Sequence, residues 1–300
     1  MRLLVTGAGG LIGRHVVELA AKQEIAVTAS ARQRPPDLAE GVEFAAGDLS
    51  DEAEAAALVR SVRPTHIIHA AWVTHQPTYW EDPINLEWVA ATLRLAQAFA
   101  ESHGQRFVQL GSCAEYDWSY GCCDEESTPT APATLYGKAK VAAFQAVRAA
   151  GHNRYQAVEA RMFMVYGPGE NPERFIPTIC RNHVAGTIPD LASGTQLRDW
   201  LYVKDAARAL LALALAEAPA EVVNIGSGEA VSLGQVAAIL ARLAGAAQTG
   251  LGRRPDRPGD PHLLTASTTR LRMTGWRPAY DLETGLRETL SWWRNETNGA

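Results

Sequence analysis

The chain has 300 residues, 47% hydrophobic and 20% charged, with a formal net charge of −5. That length supports a substantial core, and the balance excludes a mostly disordered chain or a coiled coil. No apolar run reaches the roughly 18 residues of a membrane helix, and the negative balance gives no general field for nucleic acid, so neither partner is expected.

In chain order, Arg2–Thr6 reads as a strand and Leu11–Ala21 as a helix. Strands follow at Ala26–Ser30 and Val42–Ala46, a helix at Asp51–Ser61 and a buried strand at Thr65–His69. Asn85–His103 is a long helix, Arg106–Leu110 a strand, Leu135–Ala150 a helix and Gln156–Arg161 a strand. This alternation predicts an α/β fold, a Rossmann-like doubly wound parallel sheet covered by helices. After about Met164 the texture changes to Gly- and Pro-rich segments between short helices. The expected organisation is a dinucleotide-binding domain over 1–163, with return segments near 200–225 that include a strand at Val222–Ile225. Residues 164–199 and 226–300 are expected to form a smaller, interleaved α/β substrate lobe. Cys113, Cys122, Cys123 and Cys180 show no zinc-site spacing, and Leu3 leads straight into a glycine-rich turn rather than a secretion signal. Reduced thiols, no metal and a cytoplasmic location are therefore expected.

Thr6-Gly7-Ala8-Gly9-Gly10-Leu11-Ile12-Gly13 joins the first strand to the first helix. Gly7 suits a tight turn, Gly10 a close approach of backbone to a pyrophosphate, and Gly13 close helix–sheet packing. The helix N-terminus, with Leu11 and Ile12, then offers free N–H groups to phosphate. Sites specific for NAD place a carboxylate about 20 residues further on, near the end of the second strand. Here that stretch reads Ser30-Ala31-Arg32-Gln33-Arg34. A guanidinium can hold a 2′-phosphate, so Arg32 favours NADP, with NAD still possible. Asp48, followed by Leu49, either meets the adenine amine or caps the next helix.

Tyr136 and Lys140 are four apart on one helix face. A phenol titrates near 10, and a neighbouring ammonium would lower that value and fit it for proton transfer. Ser112, at the end of the preceding strand, can donate to the same reacting oxygen. Alone, Tyr-x-x-x-Lys is a common chance pattern; the ordered set is not.

These motifs resemble the extended short-chain dehydrogenases/reductases, in the branch acting on nucleotide sugars, over nearly the whole chain. The resemblance also rests on Gly47-Asp48-Leu49, His69-Ala70-Ala71, Tyr166-Gly167-Pro168-Gly169, Arg198–Asp205 and Arg257-Pro258-Gly259-Asp260. It implies a Ser112–Tyr136–Lys140 triad, with Ala70 and Ala71 along the cofactor and Trp72 and Thr74 towards substrate. It implies diphosphate contacts from Arg198 and Arg257, with Arg174 and Phe175 as further substrate contacts, and a homodimer through a four-helix bundle. Asn85 matches a frequent family position and is expected as a helix cap or structural residue; His69 is expected to pack.

Two departures from the family pattern matter. Dehydratases of this branch carry an Asp–Glu pair straight after the triad Ser/Thr, where this chain has Cys113 and Ala114. Many relatives carry Asn where Met164 stands here. The sequence therefore favours an NADPH-dependent reductase of a keto-sugar nucleotide, of the 4-keto-6-deoxy type. A nucleotide-sugar epimerase that recycles its cofactor is the alternative, and a non-catalytic dinucleotide sensor is a third reading.

Overall fold

The computed structural model describes residues 1–75 and 78–298. Seven parallel strands form the main sheet: β1 (Leu3–Thr6), β2 (Val27–Ala31), β3 (Glu43–Ala46), β4 (His66–His69), β5 (Arg106–Ser112), β7 (Gln156–Met162) and β10 (Val222–Ile225). Their order is β10-β7-β5-β4-β1-β2-β3. The chain thus winds one way from β1 to β3 and the other way from β4 onward, leaving a crevice beside β1, where open sheets of this kind bind ligands.

The apolar strand runs explain why both faces are covered. Leu4, Ile67 and Phe107 point into one core with the helices α2 (Glu52–Val62), α3 (Ile84–Glu101) and α4 (Leu135–Gly151). Leu3, Val5 and Ile68 point into the other, with α1 (Leu11–Lys22) and α6 (Val203–Leu215). Helix starts follow local chemistry. Asp51 accepts from the Glu54 N–H to open α2, so Asp48 is not the cap of that helix. Thr134 accepts from the Gly137 N–H to open α4. Asn85 does not cap α3 either, because the helix starts one residue earlier, after Pro83. Its amide is buried and donates to the carbonyls of Tyr79 and Asp82.

A second sheet stands over the crevice. It runs β11 (Ala230–Ser232), β9 (Leu197–Tyr202), β12 (Leu263–Ala266), β6 (Cys122–Cys123), with β8 (Met164–Tyr166) pairing β9. The Cys122–Cys123 segment is a short strand; Cys123 is buried and Cys122 exposed. The helices α5 (Phe175–Val184), α7 (Leu233–Ala244) and α9 (Leu282–Asn298) pack together behind this sheet. Asp199 ties the layer together. It accepts from the N–H groups of Ser227 (2.6 Å), Gly228 (2.9 Å) and Ala266 (3.1 Å). The strand at 197–202, partly within the expected return segment, pairs here and not in the main sheet.

Candidate active site

One cleft of about 1490 Å³ runs from the first glycine turn to the second sheet. Every site residue expected from the sequence borders it, from Gly7 and Arg32 at one end to Arg174, Arg198 and Arg257 at the other.

Two glycines of the turn, Gly7 and Gly13, leave no room for a side chain. Gly7 has φ +69°, and a Cβ there would lie 2.6 Å from the Ala71 nitrogen. A Cβ on Gly13 would lie 2.2 Å from the Gly7 carbonyl oxygen, so α1 packs on the turn itself. Gly10 is exposed to the cleft, and a Cβ there would meet only the Gly7 oxygen, at 3.2 Å, on the protein side. The first turn of α1 carries no acidic side chain. A bare helix N-terminus with an open backbone approach fits a dinucleotide pyrophosphate.

Beside it, Arg32 is exposed at the cleft margin after β2. Asp48 accepts from the N–H (3.0 Å) and hydroxyl (2.7 Å) of Ser50, which hold its carboxyl below the usual range, with Arg32 adding a smaller pull. Leu49 is buried under this rim. Arg34 instead lies over the Phe44 ring at 5.8 Å.

At the other end of β5, Gly111 makes room for a buried carboxylate, since a Cβ on it would lie 2.7 Å from Glu115 Oε1. That oxygen accepts from the Ser112 N–H at 2.7 Å, while Ser112 Oγ accepts from the Ala114 N–H at 3.1 Å. Gly137 lets α4 close onto this turn, a Cβ there lying 2.2 Å from the Ala114 oxygen. The close approach sets the Tyr136 phenol near Ser112, whose side chain pulls its pKa down against the larger effect of burial. Lys140, one turn on, donates to the Leu110 carbonyl at 2.9 Å and lies 3.8 Å over the Trp72 ring.

The electrostatics differ from the sequence expectation. Burial pushes the Tyr136 phenol up, well beyond its ordinary value, and Lys140 does not offset it. Lys140 is itself driven down to about 7 by burial, against the pull of Glu115 and Glu159. Both groups are nearly buried beside the cleft, and that burial favours the neutral form of each. Glu115 faces away from the cleft and pairs with Arg161 at 3.2 Å; Arg161 also pairs with Glu159 at 2.9 Å. His69 is buried between Thr6 and Thr92 hydroxyls, and burial lowers it to about 3, so it packs as a neutral ring.

On the second-sheet side, Arg198 is buried and paired with Asp260 at 2.8 Å, while Arg257 is exposed. Arg198 is thus a restrained cation. Phe175 stacks against Trp200, ring centroids 5.8 Å apart. Arg174 is half-buried near Glu170, whose carboxyl burial lifts to about 8.

The sequence reading missed an aromatic box around Tyr136. Its ring meets Tyr79 (5.0 Å), Trp80 (5.7 Å) and Trp72 (6.4 Å) edge-on, and Trp80 in turn meets Trp118 at 6.0 Å. The signal was present: tryptophans at 72, 80 and 118 lie in segments that periodicity assigned to no element.

Among the described residues, no group of three or more His, Cys, Asp or Glu side chains is arranged to hold a metal ion. No helix among them is long and apolar enough to cross a membrane.

A glycine turn opening a Rossmann-like sheet, with Ser112, Tyr136 and Lys140 grouped beside the same cleft, has the fold of the extended short-chain dehydrogenases/reductases. The chain belongs to the NAD dependent epimerase/dehydratase family, whose model matches residues 3–226. It is 28% identical to the dTDP-glucose 4,6-dehydratase of Neisseria gonorrhoeae, over 97% of this chain and 95% of that one. It is 30% identical to the enzyme of the same name from an Actinoplanes species, over 98% of each. Among solved structures, Thermus thermophilus UDP-glucose 4-epimerase in complex with NAD superposes with a TM-score of 0.87 at 27% identity, over 98% of this chain and 99% of that one. MoeE5, solved with UDP-glucose and NAD, gives a TM-score of 0.87 at 29% identity, over 99% of this chain and all of that one.

Proposed function

We propose that this protein reduces a keto-sugar nucleotide with NADPH. The observation that carries the reading is the make-up of the reacting end: a protonated phenol beside a serine hydroxyl, with no carboxylate in the two places after Ser112. Elimination of water needs an acid and a base. Ala114 has neither, and burial pushes the Cys113 thiol up to about 12. Glu115 is committed to Arg161 and the Ser112 N–H. The dehydratase activity named for several relatives is therefore not the one this site supports.

A dihydronicotinamide held by the glycine turn would supply the hydride to the keto carbon. The chain does the rest. Ser112 donates to the keto oxygen and draws charge onto it. Tyr136, held protonated by burial, gives that oxygen its proton. Lys140, anchored on the Leu110 carbonyl, positions the α4 face behind it. A neutral phenol suits donation, the direction of reduction; a reaction that opens by oxidising an alcohol needs the phenolate. Arg32 at the cleft margin, with no carboxylate at the end of β2, supports the 2′-phosphate of NADPH. Arg198 and Arg257 are the cations available to the substrate diphosphate. The NAD complexes of the structural relatives make NADH the comparison that matters.

The test is a turnover screen. Nucleotide sugars and their 4-keto forms are incubated with NADPH or NADH, and cofactor loss is matched to product. Cofactor consumed one-for-one with a keto sugar is the expected result. Isomerisation without net cofactor loss would replace the proposal with an epimerase, and release of water with a dehydratase.

A further inference from the structure

Lys140 is buried yet borders the cleft. Its ammonium has three hydrogens to place, and one goes to the Leu110 carbonyl at 2.9 Å. The titratable groups facing it are shared or neutral. Glu115 and Glu159 favour its charge from the sheet side, but both are paired with Arg161. His69 on β4 is a neutral ring, and Tyr136 on its own helix is a protonated phenol.

The Trp72 ring lies much closer to Lys140 Nζ than the Tyr136 ring does, 3.8 Å against 5.8 Å to the centroid. That is well within the roughly 6 Å over which an indole face attracts an ammonium. The indole is also locked in place. Its Nε1 donates to Asn85 Oδ1 at 2.9 Å. Asn85 is fully buried, and its own amide donates to the carbonyls of Tyr79 at 2.7 Å and Asp82 at 2.9 Å. Asn85, which caps no helix, thus spends its polar groups on fixing one ring and the segment before α3. A ring face differs from a carboxylate in one respect that matters here: it attracts the charge and cannot take the proton. We propose that Trp72 is a positioning residue for Lys140: the indole, locked by Asn85, seats the ammonium on the Leu110 carbonyl and leaves one N–H of the three for the cleft. As a part of the reduction, this role rests on the reading above.

The experiment is a titration of isotope-labelled lysine followed by NMR, in a chain with only four lysines, Lys22, Lys138, Lys140 and Lys204. Mono- and difluorinated tryptophans replace the natural ones, which weakens the ring face at nearly constant size. The Lys140 midpoint, about 7 in the parent protein, should fall stepwise, by about 0.3 to 1 pH unit with the difluorinated ring. Lys204, over the rings of Tyr202 and Tyr280, should stay where it is. In Trp72→Phe, fluorination should no longer move Lys140, which assigns the effect to this ring. Where Trp72→Phe does not fold, the fluorinated parent protein decides, with Lys204 as its control. The upper limb of kcat/KM for keto-sugar reduction should move down in step with the NMR midpoint. A Lys140 midpoint indifferent to fluorination, with keto sugars still reduced, would overturn this inference alone, as would an equal shift in Trp72→Phe. A midpoint that moves while the kinetic limb stays put would remove Trp72 from the reaction. Absence of any keto-sugar reduction in the parent protein would overturn the functional reading, and the role of Trp72 in it.

Discussion

Arg161→Met should unfold the site from beneath. Arg161 lies on β7 with its side chain 7% exposed, between Glu115 and Glu159, both at 0%. Its guanidinium also covers the Tyr116 ring at 4.4 Å. Burial lifts both carboxyls above the ordinary 4.5, and Arg161 is the cation that pulls each back. Methionine keeps the length and removes the charge, leaving two buried carboxyls facing each other. Breaking a buried pair in this way costs about 3–5 kcal/mol. The sign with pH follows from linkage. Carboxyls raised in the folded state bind more protons than in the unfolded chain, so their contribution is present below about 4.5 and is lost as pH rises through the folded values. Removing Arg161 raises those values further. Urea denaturation at pH 5.5 and 8 should therefore show a larger loss at pH 8. A loss under about 1 kcal/mol, or one equal at both pH values, would refute the account of a shared buried charge.

Tyr136→Phe should lower kcat by about 100-fold or more while leaving NADPH affinity, read by fluorescence titration, nearly unchanged. Lys140, at about 7, should give kcat/KM a limb that falls as pH rises through that value, and Lys140→Met should abolish the limb. Arg32→Ala should weaken NADPH by about 10- to 100-fold and NADH by much less; equal losses would remove Arg32 from the cofactor site. Gly13→Ala, whose Cβ would lie 2.2 Å from the Gly7 oxygen, should shift α1 and reduce binding of both cofactors together.

The sheet was readable because its strands are short apolar runs separated by helix-period segments, and the glycine turn because its spacing has few other uses. The observed strands β1 to β5 lie within a residue or two of the expected ones. The second sheet was not readable. Strands as short as Cys122–Cys123 and Met164–Tyr166 carry no periodicity, and their partners, β12 and β9, lie far on in the chain. At the site, the grouping of Ser112, Tyr136 and Lys140 was legible and their charge states were not. Four residues of helix spacing suggested an ammonium tuning a phenol, but burial dominates both groups, and burial comes from Trp72, Tyr79 and Trp80 arriving over α4. The Arg198–Asp260 pair joins residues 62 positions apart, a closure that spacing cannot announce.

The turn after β5 acts as a rectifier for hydrogen bonds. Ser112 Oγ is already an acceptor for the Ala114 N–H, so the hydrogen it still owns is the one it can give away. Polarity runs one way, from backbone amide through hydroxyl into the cleft. Threonine at this place would keep that direction, and alanine would erase it. The hydrogen that remains suits an oxygen with lone pairs to offer.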